Sequence, residues 1–245
     1  MGGRGNSTSR GSSKFNATAA ALSSSSGGSS FDIEGYDKAE QAFARKLFGK
    51  PMSGSDIANL AGAGAFSGAK VEIGLRDGRL QVDISHKYIS KSDGMTRTMY
   101  RDADGKLTVR NDAFFLSPSA QGKGLGTKSF STQVADAQKA KVSYISTFAL
   151  RNDARSDKSV GYKVWADLGY DGKLSGRVQT AWANLNPLAR FDGTKTPRTI
   201  RELYATRGGK TIWHTYGESQ TMVFSLSRGS KSVKTLNSYL KGKTK

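Results

Sequence analysis

Six consecutive residues, Gln121-Gly122-Lys123-Gly124-Leu125-Gly126, constrain this chain more than any other stretch. Before them runs Ala113-Phe114-Phe115-Leu116, a short apolar run with strand character. After them, residues 127–141 place Phe130, Val134 and Ala137 at helical spacing. The order is therefore strand, glycine loop, helix. Glycines remove side chains, so successive backbone N–H groups can turn toward one point. The helix start behind them adds unpaired N–H groups and the positive end of a macrodipole. Such a stretch is an anion site suited to a phosphate or pyrophosphate; the plainer reading is a tight strand-to-helix turn with no ligand. It is not a P-loop, because no G-x-x-x-x-G-K-S/T string occurs. The dinucleotide fingerprint G-x-G-x-x-G also fails, since Thr127 stands where the third glycine belongs.

Composition narrows the classes. The 245 residues suffice for one large domain, or a domain with a tail. No run approaches the roughly eighteen apolar residues of a membrane span. Cysteine is absent, which removes disulfides, thiolate catalysis and cysteine-based metal sites. His86 and His214 are the two histidines, too few for a histidine-rich metal centre, so no metal is expected. Surface or structural roles are the default for both. Net charge is +18, from 38 basic and 20 acidic residues, which predicts attraction to a polyanion or an acidic partner. The end of the chain carries Arg228, Lys231, Lys234, Lys241, Lys243 and Lys245 with no acid from Leu226 onward. A strongly charged, solvated face is the bland alternative.

Residues 1–30 are mostly Gly, Ser, Ala, Asn and Thr, with Arg4, Arg10 and Lys14. They cannot bury enough apolar surface to offset ordering entropy, so a disordered basic arm is expected. The arm lacks the apolar core of a secretory signal, while its Arg/Ser-rich, acid-free character overlaps with transit peptides. An intracellular, cytoplasmic site is expected, with an organelle or an assembly as alternatives.

From residue 31 to 245 one domain is expected. Residues 33–48 read as an amphipathic helix ended by Gly49 and Pro51, and 55–60 as a short second one. Val71, Ile73 and Leu75 alternate, Asp77-Gly78 turns, and Leu80, Val82 and Ile84 alternate again, the clearest β signal in the chain. Residues 95–101 make a further strand. Leu107 and Val109 open another that runs, through a bulge near Asn111-Asp112, into Phe114-Phe115-Leu116. These are about four antiparallel strands before the glycine loop. The loop, helix 127–141 and strand 142–150 then form a β-α-β unit, whose strands must be parallel. Residues 151–158 read as a polar loop and 159–168 as a helix. Thr196-Pro197 is a helix start. Residues 211–216 and 222–226 read as two strands, and 230–240 as a last helix. The class is mixed, α+β with an α/β unit: a central mixed sheet flanked by helices.

The loop resembles the acyl-CoA loop of the GNAT family of N-acyltransferases, Q/R-x-x-G-x-G/A, with Gln121, Gly124 and Gly126 in its fixed positions. Val164-Trp165-Ala166-Asp167-Leu168-Gly169-Tyr170 is similar to the family's later helix, which commonly ends in Leu-Gly-Phe or Leu-Gly-Tyr. The resemblance covers about residues 70–171; an insertion at about 172–210 and the terminal helix depart from it. It implies a GNAT-like domain whose central strand splays from its neighbour to admit the pantetheine arm. By that resemblance Phe115 and Leu116 hold the arm of acetyl-CoA or another acyl-CoA. Gly122, Lys123, Gly124, Leu125, Gly126 and Thr127 hold the pyrophosphate, beside Gln121. The family's acid tyrosine falls on Trp165, whose indole is no acid. Tyr162, one turn earlier, is the catalytic candidate, and Glu72 or Asp112 the base. Two functions follow: acyl-CoA-dependent transfer to an amine-bearing acceptor, or a GNAT-like binding or structural module of an assembly containing nucleic acid. In the second, the basic arm and terminal helix contact the polyanion.

Overall fold

A computed structural model describes residues 30–152, 159–190 and 195–243. The expected basic arm, apart from Ser30, lies outside the described residues, as do Lys245 and most of the expected 151–158 loop. Seven strands form one mixed sheet in the order β1-β2-β3-β4-β5-β6-β9. They are β1 (Asp32–Glu34), β2 (Lys70–Arg76), β3 (Arg79–Ser85), β4 (Met95–Arg101), β5 (Leu107–Phe114), β6 (Tyr144–Ala149) and β9 (Gln220–Ser225). The short β7 (Arg151–Asn152) and β8 (Ser159–Val160) pair separately.

Helices α1 (Lys38–Phe48) and α2 (Gly54–Leu60) precede β2, and α3 (Leu125–Lys139) joins β5 to β6. After β8 come α4 (Gly161–Asp167), α5 (Gly176–Leu185), α6 (Ile200–Tyr204) and α7 (Gly209–Tyr216), and α8 (Lys231–Lys243) follows β9.

The expected hairpin is present. Asp77 and Gly78 take positive φ, 49° and 66°, as a tight turn between strands requires, and they set Val71 opposite Ile84 and Ile73 opposite Val82. The four strands β2 to β5 are antiparallel in sequence order, and β5 and β6 are parallel across α3. The expected bulge is at Asp112: Thr96 pairs with Ala113 while its neighbour Arg97 pairs with Asn111, leaving Asp112 without an opposite residue.

One face of the sheet carries the core, with Val82, Met99, Val109, Ile145 and Phe224 fully buried on successive strands. Phe130 of α3 packs against this face, its ring 5.1 Å from Phe224 and 5.2 Å from Tyr170. Burying one such ring contributes about 2 kcal/mol.

Three expectations fail. Residues 32–34 are not helical; they pair with β2 in parallel, Ile33 opposite Val71. Gly35, at φ 72°, turns the chain before Asp37 caps α1 through its side chain. The helix expected to start at Thr196-Pro197 is instead capped by Thr199, whose side chain accepts from the Glu202 N–H. Residues 211–216, expected as a strand, are instead the greater part of helix α7 (Gly209–Tyr216). Their β-branched and aromatic composition suggests a strand, but Ile212, Trp213 and Tyr216 at helical spacing face the core, and the Trp213 indole donates to the Tyr162 carbonyl at 3.0 Å. The segment expected as an insertion contributes α5 and α6, neither of which has its bounds in the sequence reading. Val178 and Trp182 of α5 are buried.

Candidate functional site

Strands β5 and β6 pair through four positions, ending at Asn111 opposite Thr147. Beyond that point they part. The Asp112 bulge bends β5, which stays on β4 to Phe114, while β6 continues on β9 to Ala149. The gap between them is a cleft of about 450 Å³. Asn111 and Thr147 lie where the strands part, with Phe114, Phe115 and Leu116 on one wall and Phe148 and Leu150 on the other. The glycine loop closes one end, α4 contributes Gly161, Val164 and Trp165, and Leu168 follows from the turn after it.

Local rules explain the loop. Gly122 and Gly124 sit at φ 72° and 76°, the left-handed region that glycine adopts without strain. Gly124 is the N-cap of α3 and has no side chain to cap it. The first intrahelical bond runs from Lys128 N–H to the Gly124 carbonyl, so the amides of Leu125, Gly126 and Thr127 precede the helical ladder. Gln121 Nε2 donates to the Leu116 carbonyl at 3.1 Å and ties the loop to the end of the strand. Of the loop residues, Gln121, Gly122, Gly124, Leu125, Gly126 and Thr127 line the cleft; Lys123 is exposed beside it.

Beneath the cleft is a buried polar network. Asn111 Nδ2 donates to Gln133 Oε1 at 3.0 Å and to the Tyr170 hydroxyl at 3.2 Å, and Gln133 Nε2 donates to Asn111 Oδ1 at 2.9 Å. Burial pushes the Tyr170 phenol above its ordinary pKa, so it stays protonated. Arg97, 1% exposed, donates through Nη1 to the carbonyls of Ala113 at 2.6 Å and Thr96 at 2.9 Å, holding the bulge. Desolvation lowers its guanidinium to about 10, still charged at neutral pH. The floor of the cleft is thus fixed by hydrogen bonds across β4, β5, α3 and the Leu168-Gly169-Tyr170 turn.

The structure brings most of the sequence candidates together, with exceptions. Phe115 and Leu116 both line the cleft. The Phe115 N–H, however, donates to Gly94 O and its carbonyl accepts from Ser90 N–H. Backbone groups alternate sides along a strand, so those of Phe114 and Leu116 are the ones turned toward the gap. Tyr162 does not line the cleft. It is 2% exposed, and its hydroxyl donates to the His214 carbonyl of α7 at 2.9 Å. The face of α4 toward the cleft carries Trp165 instead, packed 5.1 Å from Tyr170 and 5.6 Å from Phe130.

Glu72 is on β2, three strands from β5 and so about 14 Å away at ordinary strand spacing. Asp112 does line the cleft, but both its oxygens are engaged: Oδ1 by Arg110 Nε and Oδ2 by Thr98 Oγ1 at 2.7 Å. His86 stacks near Phe66 and Tyr88 outside the cleft. His214 sits in α7 rather than a strand, with Nε2 3.4 Å from Asp167 Oδ1.

Sequence reasoning missed Asn111, Thr147, Phe148 and Tyr239 as cleft residues. Tyr239 comes from α8, far along the chain, and no local signal connects it to the loop. A larger hollow of about 740 Å³ lies among α5, α6 and α7, but Arg207 is the one titratable residue among the described residues lining it. The smaller cleft is lined by the glycine loop, Asp112 and Tyr239. Among the described residues no cluster of His, Cys, Asp or Glu suits a metal, and no helix is long and apolar enough to cross a membrane. No family model matches the chain, and no curated protein matches it.

Proposed function

We propose that this protein is an acyl-CoA-dependent N-acyltransferase of GNAT-like architecture that transfers an acyl group, acetyl in the simplest case, to an amine. The observation that carries the reading is the parting of β5 and β6 after Asn111 and Thr147, with the gap ending at the glycine loop and the start of α3. A narrow thioester arm fits between Phe114–Leu116 and Phe148–Leu150, where strand-edge N–H and C=O groups lack a neighbouring strand. The amides of Leu125, Gly126 and Thr127 suit a pyrophosphate, and Lys123 and Lys128 are exposed beside them. Holding thioester and amine in one cleft accelerates attack by proximity alone, without a covalent enzyme intermediate.

Calorimetric titration of the full-length protein with acetyl-CoA is expected to give one saturable site, with Kd in the range of about 1 μM to 1 mM. Absence of heat and of thermal stabilisation at millimolar acetyl-CoA would sink the reading.

A second reading, a binding module in an assembly with a polyanion, is favoured by α8. Lys231, Lys234 and Lys241 lie three and seven residues apart, on one exposed face, opposite buried Ser232 and Leu236. Binding through them would release counterions, so affinity for a mixed-sequence duplex would fall linearly with salt on a log-log plot. Changing these three lysines to glutamine is expected to reduce the slope by about three. An unchanged slope removes α8 from any such contact.

A further inference from the structure

Among the described residues Arg97 is the one charged side chain that is buried. It enters no ion pair there, and the neighbouring carboxylate, Asp112, is taken by Arg110 instead. Its Nε has no hydrogen-bond partner, and its guanidinium carbon stands 5.2 Å from the centre of the Phe114 ring. A cation withdrawn from water without a carboxylate is costly. Holding the bulge does not require that charge, because a neutral amide also donates to carbonyls.

The bonds of Arg97 show where its charge acts. Nη1 donates to the Ala113 carbonyl at 2.6 Å. The same peptide unit carries the Phe114 N–H on its other side. The N–H and carbonyl of Phe115 both bond toward the β4 side, to Gly94 and Ser90. By alternation the Ala113 carbonyl also faces β4, and the Phe114 N–H faces the gap beyond the last β5–β6 pair, Asn111 with Thr147. A peptide is conjugated, so a cation on its oxygen draws electron density from its nitrogen and makes the N–H a stronger donor. The guanidinium is fixed in the core before any ligand arrives, as preorganised electrostatic stabilisation requires.

We propose that Arg97 is a positioning residue whose buried charge, relayed through the Ala113–Phe114 peptide, strengthens the Phe114 N–H as donor to the thioester carbonyl oxygen. The proposal rests on the acyl-transfer reading, and Arg97 itself touches neither reactant. The amine nitrogen adds to the thioester carbon, and the C=O π pair moves onto oxygen, where the Phe114 N–H meets the growing charge. The pair then returns and the C–S bond breaks with its electrons on sulfur. The proton lost by nitrogen reaches sulfur through water.

The test uses the full-length protein and two ligands, acetyl-CoA and S-ethyl-CoA, a thioether without the carbonyl oxygen. Wild type is expected to bind acetyl-CoA about fivefold more tightly, the weight of one ordinary hydrogen bond. Arg97→Gln keeps a donor to the two carbonyls and removes the charge. In it the preference is expected to shrink to within about twofold, with S-ethyl-CoA affinity close to wild type. With hydroxylamine as acceptor, kcat is expected to fall about tenfold, less than the loss of a whole oxyanion donor. Arg97→Met is read in the same way and guards against misfolding of the first variant, since an apolar residue of similar length is often tolerated in place of a buried charge.

Infrared spectra of acetyl-CoA labelled with carbon-13 at the carbonyl give a readout that a merely structural role would not move. The stretch is expected at lower frequency bound to wild type than free, and back toward the free value in Arg97→Gln. If wild type binds neither ligand, the acyl-transfer reading and this proposal fall together. If wild type binds both ligands alike, or leaves the carbonyl stretch unshifted, the proposal alone falls, without recourse to any variant. It also falls if the variants keep the preference and the shift. Equal weakening of both ligands in the variants would make Arg97 a clamp on the bulge and overturn it as well.

Discussion

Gly126→Leu is expected to abolish acyl-CoA binding while leaving the protein as stable as wild type. Gly126 is the second residue of α3 and does not take a positive φ, so any side chain suits its backbone. A Cβ there would stand 3.6 Å from Phe114 Cε1 and 3.7 Å from Leu116 Cδ1, ordinary contact distances. The rest of a leucine would extend over the strand end and cover the amides where a pyrophosphate would sit. Leucine also favours a helix over glycine by roughly 0.8 kcal/mol, which offsets the exposure of its side chain. Affinity for acetyl-CoA should fall at least about 100-fold, or roughly 2.7 kcal/mol, measured by calorimetry beside an unchanged thermal midpoint. Wild-type affinity in the variant would move the ligand elsewhere. Gly124 is a less clean choice for the same test. Its φ of 76° would strain any L side chain by about 1–2 kcal/mol, and no atom lies within 4 Å of its Cβ position, so stability would suffer before the cleft was filled.

The second large effect is structural. Gly169→Ala is expected to destabilise the protein by about 3 kcal/mol and to shift α8. Gly169 has φ 104°, which L residues rarely adopt, and its Cβ would lie 2.6 Å from the Ser232 carbonyl and 3.1 Å from Thr235 Cβ. Neither side yields easily. Arg201 Nη2 donates to both the Gly169 carbonyl, at 3.3 Å, and Ser232 Oγ, and Ser230 Oγ donates to the Ser225 carbonyl at 2.7 Å just before the helix. Urea denaturation should show a lower midpoint with an unchanged slope. Affinity for acetyl-CoA should fall as well, since α8 contributes Tyr239 to the lining of the cleft and moves with it. A midpoint within about 0.5 kcal/mol of wild type would mean that α8 is free to adjust, and Tyr239 with it.

These two glycines show what a motif in the sequence meant physically. Gln121, Gly124 and Gly126 were legible as a loop because neighbouring residues settle a strand-to-helix turn: an apolar run, residues free of Cβ constraints, then a helical stripe. The loop forms as read, with positive φ at Gly122 and Gly124 and α3 starting at Leu125. Leu168-Gly169-Tyr170 was legible as a pattern but not as a cause. Gly169 is required by α8, and Tyr170 by Asn111, and both partners are distant in sequence.

Features that depend on nearest neighbours along the chain are fixed locally. Alternation over residues 71–84 with Asp77-Gly78 between sets a hairpin register, since a slip of one residue would turn Val71, Ile73, Val82 and Ile84 to the other face. The order strand, loop, helix, strand sets β5 parallel to β6, and the break in alternation near Asn111-Asp112 sets the bulge. Tertiary structure alone decided the rest. Residues 209–216 became a helix because Trp213 and Ile212 found the core on one helical face, and a weak strand propensity yields to that burial. Residues 32–34 became a strand because β2 offered an open edge. Which phenol meets the cleft was also beyond any local pattern. Tyr162 and Trp165 are three residues apart on one helix, so both are near the cleft in sequence terms. The helix turns Trp165 inward and leaves Tyr162 against α7, while Tyr239 arrives from the far end of the chain. Periodicity specifies which residues share a face; it does not specify what that face will meet, because that is fixed by contacts between segments the chain brings together only on folding.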